Sequence, residues 1–153
     1  MIIDKKRTLD RAVWNSYQAA EVRLLDDKEQ KPLRALINPN KLKLDYDDKI
    51  ISIDYNSGIK IGSVFEWIGT KTYWIVYLQD ITELAYFKGD VRKCTYEISY
   101  KDKDGNVQKT YAAIRGPVET KINSMSTHGL SMDTPNYSLY LVLPKTAENV
   151  EYF

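Results

Sequence analysis

Apolar positions along this chain keep two different periods. Over 8–25 they are Leu9, Val13, Trp14, Tyr17, Ala20, Leu24 and Leu25, close to the 3.6-residue repeat of a helix. Arg11, Asn15, Gln18 and Glu21 lie off that stripe. The spacing predicts one amphipathic helix over 8–25. Thr8 is its N-cap, because a threonine hydroxyl there can accept from a first-turn amide. The run Asp26-Asp27-Lys28-Glu29-Gln30-Lys31-Pro32 then predicts a solvated break. Pro32 and the Asn38-Pro39-Asn40 turn forbid a long second helix, since each ring removes a backbone donor and biases the residue before it away from helical geometry. Residues 26–40 therefore read as a linker with one short helical turn at most.

From Lys41 onward the period is two. Leu42, Leu44 and Tyr46 alternate with Lys41, Lys43 and Asp45, and a second run carries Ile51 and Ile53 up to an Asn56-Ser57-Gly58 turn. Further strand-like runs fall at 63–68, 72–79, 84–87, 91–100, 107–114, 118–122 and 138–143. They are rich in Val, Ile, Tyr, Trp and Thr, which suit a pleated, half-buried surface. Asp104-Gly105 predicts a hairpin through a type I′ turn, whose positive φ angles match strand twist. Cys94, Tyr96, Ile98 and Tyr100 line one face of its incoming strand. Many short strands with no helices between them predict a mainly β protein, a small antiparallel β-barrel or sandwich with an N-terminal amphipathic helix. The expected division is a helix and linker arm over 1–40 and a β-barrel domain over 41–153.

Composition mostly excludes. A chain of 153 residues makes one domain, and 43% hydrophobic residues supply a core without staples. A net charge of +1 gives no overall field to hold a polyanion. The single cysteine, Cys94, excludes an intrachain disulfide and a multi-cysteine zinc site. No apolar run approaches the roughly 20 residues of a membrane span, and the start Met1-Ile2-Ile3-Asp4 has no signal-peptide core, so no membrane partner is expected. The apolar ending Val150-Glu151-Tyr152-Phe153 either docks on something or continues in a longer chain.

No constellation points to catalysis. The only histidine, His128, lies in a polar stretch with no spacing that joins it to Cys94 or to a carboxylate such as Asp133. Asp102-Lys103-Asp104-Gly105 fails as a calcium loop, because the register set by Gly105 puts Tyr100 and Tyr111 where carboxylates are needed. There is no phosphate-binding glycine loop and no His-Glu-x-x-His helix. No catalytic residue, cofactor or metal is expected.

Aromatics are the more telling feature. Phe65, Trp67, Tyr73, Trp74, Tyr77, Tyr86 and Phe87 crowd between 65 and 87. Interleaved with Lys71, Lys88, Arg92 and Lys93, they could form a stacking platform for a single nucleic-acid strand, with Trp67, Lys71, Tyr73 and Trp74 as its surface. The competing expectation is that they fill the barrel and face partner subunits.

The runs Gly62-Ser63-Val64-Phe65-Glu66-Trp67-Ile68-Gly69-Thr70 and Tyr73-Trp74-Ile75-Val76-Tyr77-Leu78 carry a resemblance, continued through Glu83-Leu84-Ala85-Tyr86-Phe87-Lys88 and Arg92-Lys93-Cys94-Thr95-Tyr96. Over about 60–120 the chain resembles the head-to-tail connector proteins of tailed bacteriophages, of the head-closure or stopper kind. Ser63 stands where an acidic residue is common in that group. The resemblance implies a barrel with an N-terminal helical element and a non-enzymatic virion protein made in the host cytoplasm. Its subunits would assemble into a homo-oligomeric ring in the neck or tail. Other neck, portal or tail proteins would be its partners, and DNA would only pass through the lumen. The expected interface residues are Arg11, Trp14 and Tyr17 on the helix, with Met125 and Met132 in the loop 123–136, which is long enough to order on a partner.

Overall fold

Six strands each turn an apolar face to a common interior and close a barrel. The computed structural model describes residues 2–25, 29, 31–41, 47–115 and 140–144. The elements are α1 (Ile2–Asn15), β1 (Ala19–Leu24), β2 (Leu33–Pro39), β3 (Asp48–Ile53), a 3-10 turn (Tyr55–Ser57), β4 (Val64–Trp67), β5 (Thr72–Gln79), β6 (Phe87–Cys94), β7 (Tyr96–Lys101), β8 (Val107–Arg115) and β9 (Tyr140–Val142). The protein is mainly β, as the period-two pattern predicts. Its barrel closes in the order β1-β2-β3-β6-β5-β4, every pair antiparallel, with β4 returning to β1 through Val22↔Trp67 and Leu24↔Phe65.

Alternation decides what fills it. Val22 and Leu24 of β1, Ala35 and Ile37 of β2, Ile51 and Ile53 of β3, Phe65 of β4, Trp74 and Val76 of β5, and Phe87 and Val91 of β6 form one buried cluster. At about 25 cal/mol per Å2 of apolar surface removed from water, such a cluster is the main source of stability. Gly89 belongs to the same inward row of β6. A Cβ there would lie 2.6 Å from the Leu78 carbonyl oxygen and 2.9 Å from the Phe87 ring. The close approach coincides with a register shift in β5 between Val76 and Leu78.

Two expectations near the N-terminus are corrected. The helix runs over Ile2–Asn15, not 8–25, so Thr8 is no cap: it lies inside the helix, its hydroxyl donating to the Asp4 carbonyl at 2.8 Å. The chain then turns at Ser16, whose side chain accepts from the Gln18 amide at 3.0 Å, and residues 19–24 form a barrel stave. Ala20, Val22 and Leu24 satisfy period two as well as a helical stripe, and closure of the barrel through β4 selects the strand. Leu33, Ala35 and Ile37 likewise make a second stave from part of the expected linker. The barrel therefore takes in Ala19–Leu24 and Leu33–Pro39 from the expected arm, and α1 lies outside it. The expected strand at 84–87 is mostly loop, with β6 starting at Phe87. Residues 42–46 and 118–122 lie outside the described set.

The expected hairpin is present, with a different turn. β7 and β8 pair from Tyr96↔Ala112 to Lys101↔Val107. Gly105 has φ +82°, but no positive φ occurs at Asp104, so this is not a type I′ turn. The Asp102 amide donates to the Asn106 carbonyl at 3.0 Å, closing a three-residue loop with glycine in the left-handed position. The Asp102 carboxylate accepts from the Asp104 and Asn106 amides and from the Gln108 side chain, which holds its pKa below the usual range.

β6 passes into β7 across Thr95 alone, and β8 folds back over the outside of the barrel. Val64, Ile75, Cys94 and Ala113 are buried there, with Leu25, Tyr73, Tyr111 and Val142 packed around them. α1 rests on the barrel through buried Leu9 and Val13 and two ion pairs, Lys5–Glu83 at 3.3 Å and Lys6–Asp54 at 3.1 Å. Among the described residues no helix is long and apolar enough to cross a membrane.

Candidate functional site

The four residues expected to make one stacking platform separate onto different faces. On β5, Thr72 and Trp74 point inward, so Tyr73 between them points outward. Tyr73 stacks on Tyr111 of β8, ring centroids 3.9 Å apart and planes inclined by 15°. Trp74 is only 3% exposed and closes the barrel interior from above. Trp67, at the end of β4, is half-buried beside it, ring centroids 6.1 Å apart and planes at 52°. Lys71 is exposed in the β4–β5 turn at φ +54°, a left-handed position unusual for a lysine. The fold thus brings Trp67 and Trp74 together, sends Tyr73 to the opposite face and leaves Lys71 on the turn.

Two lysines complete this end of the barrel: Lys93, one of the basic residues interleaved with the aromatics, and Lys49, which the sequence pattern did not single out. Lys49 precedes the inward residues Ile51 and Ile53 of β3, and Lys93 follows the inward Val91 of β6. Both line a cleft of about 410 Å3 at the barrel mouth with Trp67, Trp74, Thr70, Thr72 and Asp47. The Lys49 ammonium sits 5.8 Å from the centre of the Trp74 ring. The Trp74 indole N–H donates to the Thr72 hydroxyl at 2.8 Å, and the Thr70 and Thr72 hydroxyls are 2.6 Å apart. The available signal was the inward parity of both lysines, once Ile51 and Val91 are known to face the core.

The interface expectations fall in different places. Arg11 is exposed on α1, and Tyr17, in the turn between α1 and β1, is 94% exposed. Trp14 lies in α1, and its side chain is outside the described set, as are Met125, Met132 and the whole 123–136 loop. A second cleft, of about 440 Å3, runs between α1 and the barrel, lined by Leu9, Ala12, Leu36, Ser52 and Tyr86 among others.

Nucleophilic chemistry at Cys94 finds no support in its surroundings. Burial between the barrel wall and β8 pushes its thiol up to about 12, which keeps it protonated. His128 is outside the described set. Among the described residues no group of three or more His, Cys, Asp or Glu side chains could hold a metal ion.

The chain matches no protein-family model, no curated protein and no solved structure.

Proposed function

We propose that this protein is a non-enzymatic virion component of a tailed bacteriophage, a head-to-tail connector, neck or tail subunit that assembles into a ring around the DNA conduit. The observation that carries the reading, beside the resemblance over 60–120, is an open sheet edge next to a closed barrel. The barrel has no edge strand. In the outer sheet of order β7-β8-β9, β7 and β9 each pair with β8 alone among the described residues. Such an edge offers a row of backbone donors and acceptors to a neighbouring chain. Tyr96 and Val107, both exposed, stand on that sheet, and exposed Tyr17 marks a second place for subunit contact. Side faces of this kind, repeated by rotation, close a ring through heterologous contacts.

Quantitative mass spectrometry of purified phage particles tests this reading. A fixed ratio to the portal protein matching a closed ring supports a neck or tail position. Absence of the chain from intact particles removes the virion assignment.

A second reading is a single-stranded nucleic-acid-binding barrel. What favours it is the half-buried Trp67 at the end of β4, with the exposed Lys71 following in the β4–β5 turn. Substitution of Lys71 and Trp74 should then abolish a salt-sensitive affinity for a single strand. No binding of the unaltered protein at low salt disposes of it.

A further inference from the structure

Inward positions of a small barrel are normally filled by apolar side chains, as twelve of the staves' residues here show. Lys49 and Lys93 depart from that rule at the same end of the barrel, on adjacent strands β3 and β6. Neither makes an ion pair among the described residues. Both are half-buried, as amphipathic side chains with an apolar stem and a charged end can be. Among the described residues Asp47 is the one carboxylate lining the cleft, against the two lysines. Beneath them Trp74 seals the interior, its face already covered by Lys49. Trp67 keeps part of its ring surface open to the cleft, and the Thr70–Thr72 hydroxyl pair lies on the same wall.

We propose that the barrel mouth binds a small planar organic anion of mononucleotide size, its flat ring against Trp67 and its anionic group between Lys49 and Lys93. The volume of about 410 Å3 admits one ring system with one charged group and is floored by Trp74, so it does not admit a continuous chain of stacked bases. A phosphate monoester carries about −1.5 to −2 charge near neutral pH and so matches two ammonium groups. Ring stacking on an indole supplies the remaining selectivity. The Asp47 carboxylate on the rim disfavours a bare polyanion. This inference stands apart from ring assembly, because none of these residues lies on the β7 or β9 edge.

The test is titration of the full chain with adenosine monophosphate, followed through the indole N–H signals in two-dimensional nitrogen-15 spectra. The protein has three tryptophans, so Trp14 on α1 serves as the internal reference and is assigned through Trp14→Phe. Saturable shifts of the Trp67 and Trp74 signals, with Trp14 unmoved, are the expected result. Adenosine and inorganic phosphate, each carrying half of the recognised chemistry, should bind at least about tenfold more weakly. Lys49→Met/Lys93→Met should lose roughly tenfold or more in affinity while keeping native signal dispersion, and Lys93→Gln supplies a milder variant should the double one fail to fold. No shift at millimolar nucleotide overturns the proposal, as does an affinity unchanged in Lys93→Gln and the double variant. Inorganic phosphate binding as tightly as the nucleotide overturns the stacking half of it. An oligothymidylate that moves the same signals where the mononucleotide does not would overturn it in favour of the strand-binding reading.

Discussion

Tyr73 on the barrel and Tyr111 on the outer hairpin lie nearly parallel, 3.9 Å apart, and fasten the β7–β8 hairpin to the barrel wall. The rings come from strands that are not hydrogen-bonded to each other, so the stack links two sheets. The Tyr73 hydroxyl beside it, with burial, raises the Tyr111 phenol to about 12. Tyr111→Ala should cost roughly 0.5–1.5 kcal/mol beyond the area it unburies, as aromatic pairs do. The loss should concentrate in faster amide exchange over 107–115, with the staves β1–β3 unchanged. Uniformly faster exchange across the barrel would mean that the stack is part of the global fold and not a local fastener.

Gly89 and Gly105 make a controlled pair. At Gly89 a Cβ meets the Leu78 carbonyl at 2.6 Å, a backbone atom fixed by β5 pairing with β6, so Gly89→Ala must displace the strand. Overpacking of that kind costs about 1–3 kcal/mol. Gly105 has nothing within 4 Å, and its alanine variant meets only the strain of φ +82°, about 1–2 kcal/mol. Urea unfolding should show both losses, and only Gly89→Ala should disturb the Leu78 and Gln79 amide signals.

Asp48 and Arg92 are directly opposite in the β3–β6 register, and their side chains pair at 3.1 Å with 4% and 15% exposure. The Tyr77 hydroxyl donates to the other Asp48 oxygen at 3.3 Å. Arg92→Leu leaves a buried carboxylate without its cation and should cost about 3–5 kcal/mol, whereas Asp48→Leu/Arg92→Leu should recover most of that loss. Chemical denaturation of the two variants checks this, and equal losses in both would show that packing and not charge sets the cost.

Asp80 organises the loop ahead of β6. Its carboxylate accepts from the Thr82 hydroxyl at 2.6 Å, the Lys88 ammonium at 3.0 Å and the Thr82 amide at 3.1 Å, which together lower its pKa from 3.8 to about 2. A depressed carboxylate contributes stability in full above its unfolded value and loses it as pH falls through its folded one. The thermal midpoint of Asp80→Asn should therefore lie below that of the unaltered protein at neutral pH. The gap should begin to narrow below about pH 5 and close only as pH falls below about 2. Glu83 and Asp54, also held low by backbone amides and by Lys5 and Lys6, should steepen the acid limb of both proteins.

Local chemistry in the chain determined a good part of this fold. The alternation of Thr72 to Gln79 placed β5 at its observed ends, the Asp104-Gly105 pair placed the hairpin, and the lack of helical period after Lys41 determined the β class. Tertiary closure decided the rest. Ala20, Val22 and Leu24 suit either a helix or a strand, and only the waiting edges of β2 and β4 make them a stave. Leu33, Ala35 and Ile37 sit among prolines and charges that hide a period of two. The mouth was hidden for a related reason: parity along one strand says that Lys49 and Ile51 share a face, but not which face is inside. Only the closed barrel, which buries Ile51 and Val91 together, brings Lys49 and Lys93 to one cleft with Trp74. Strand period is a property of the backbone and is written locally, whereas the choice of interior is made by all six strands at once.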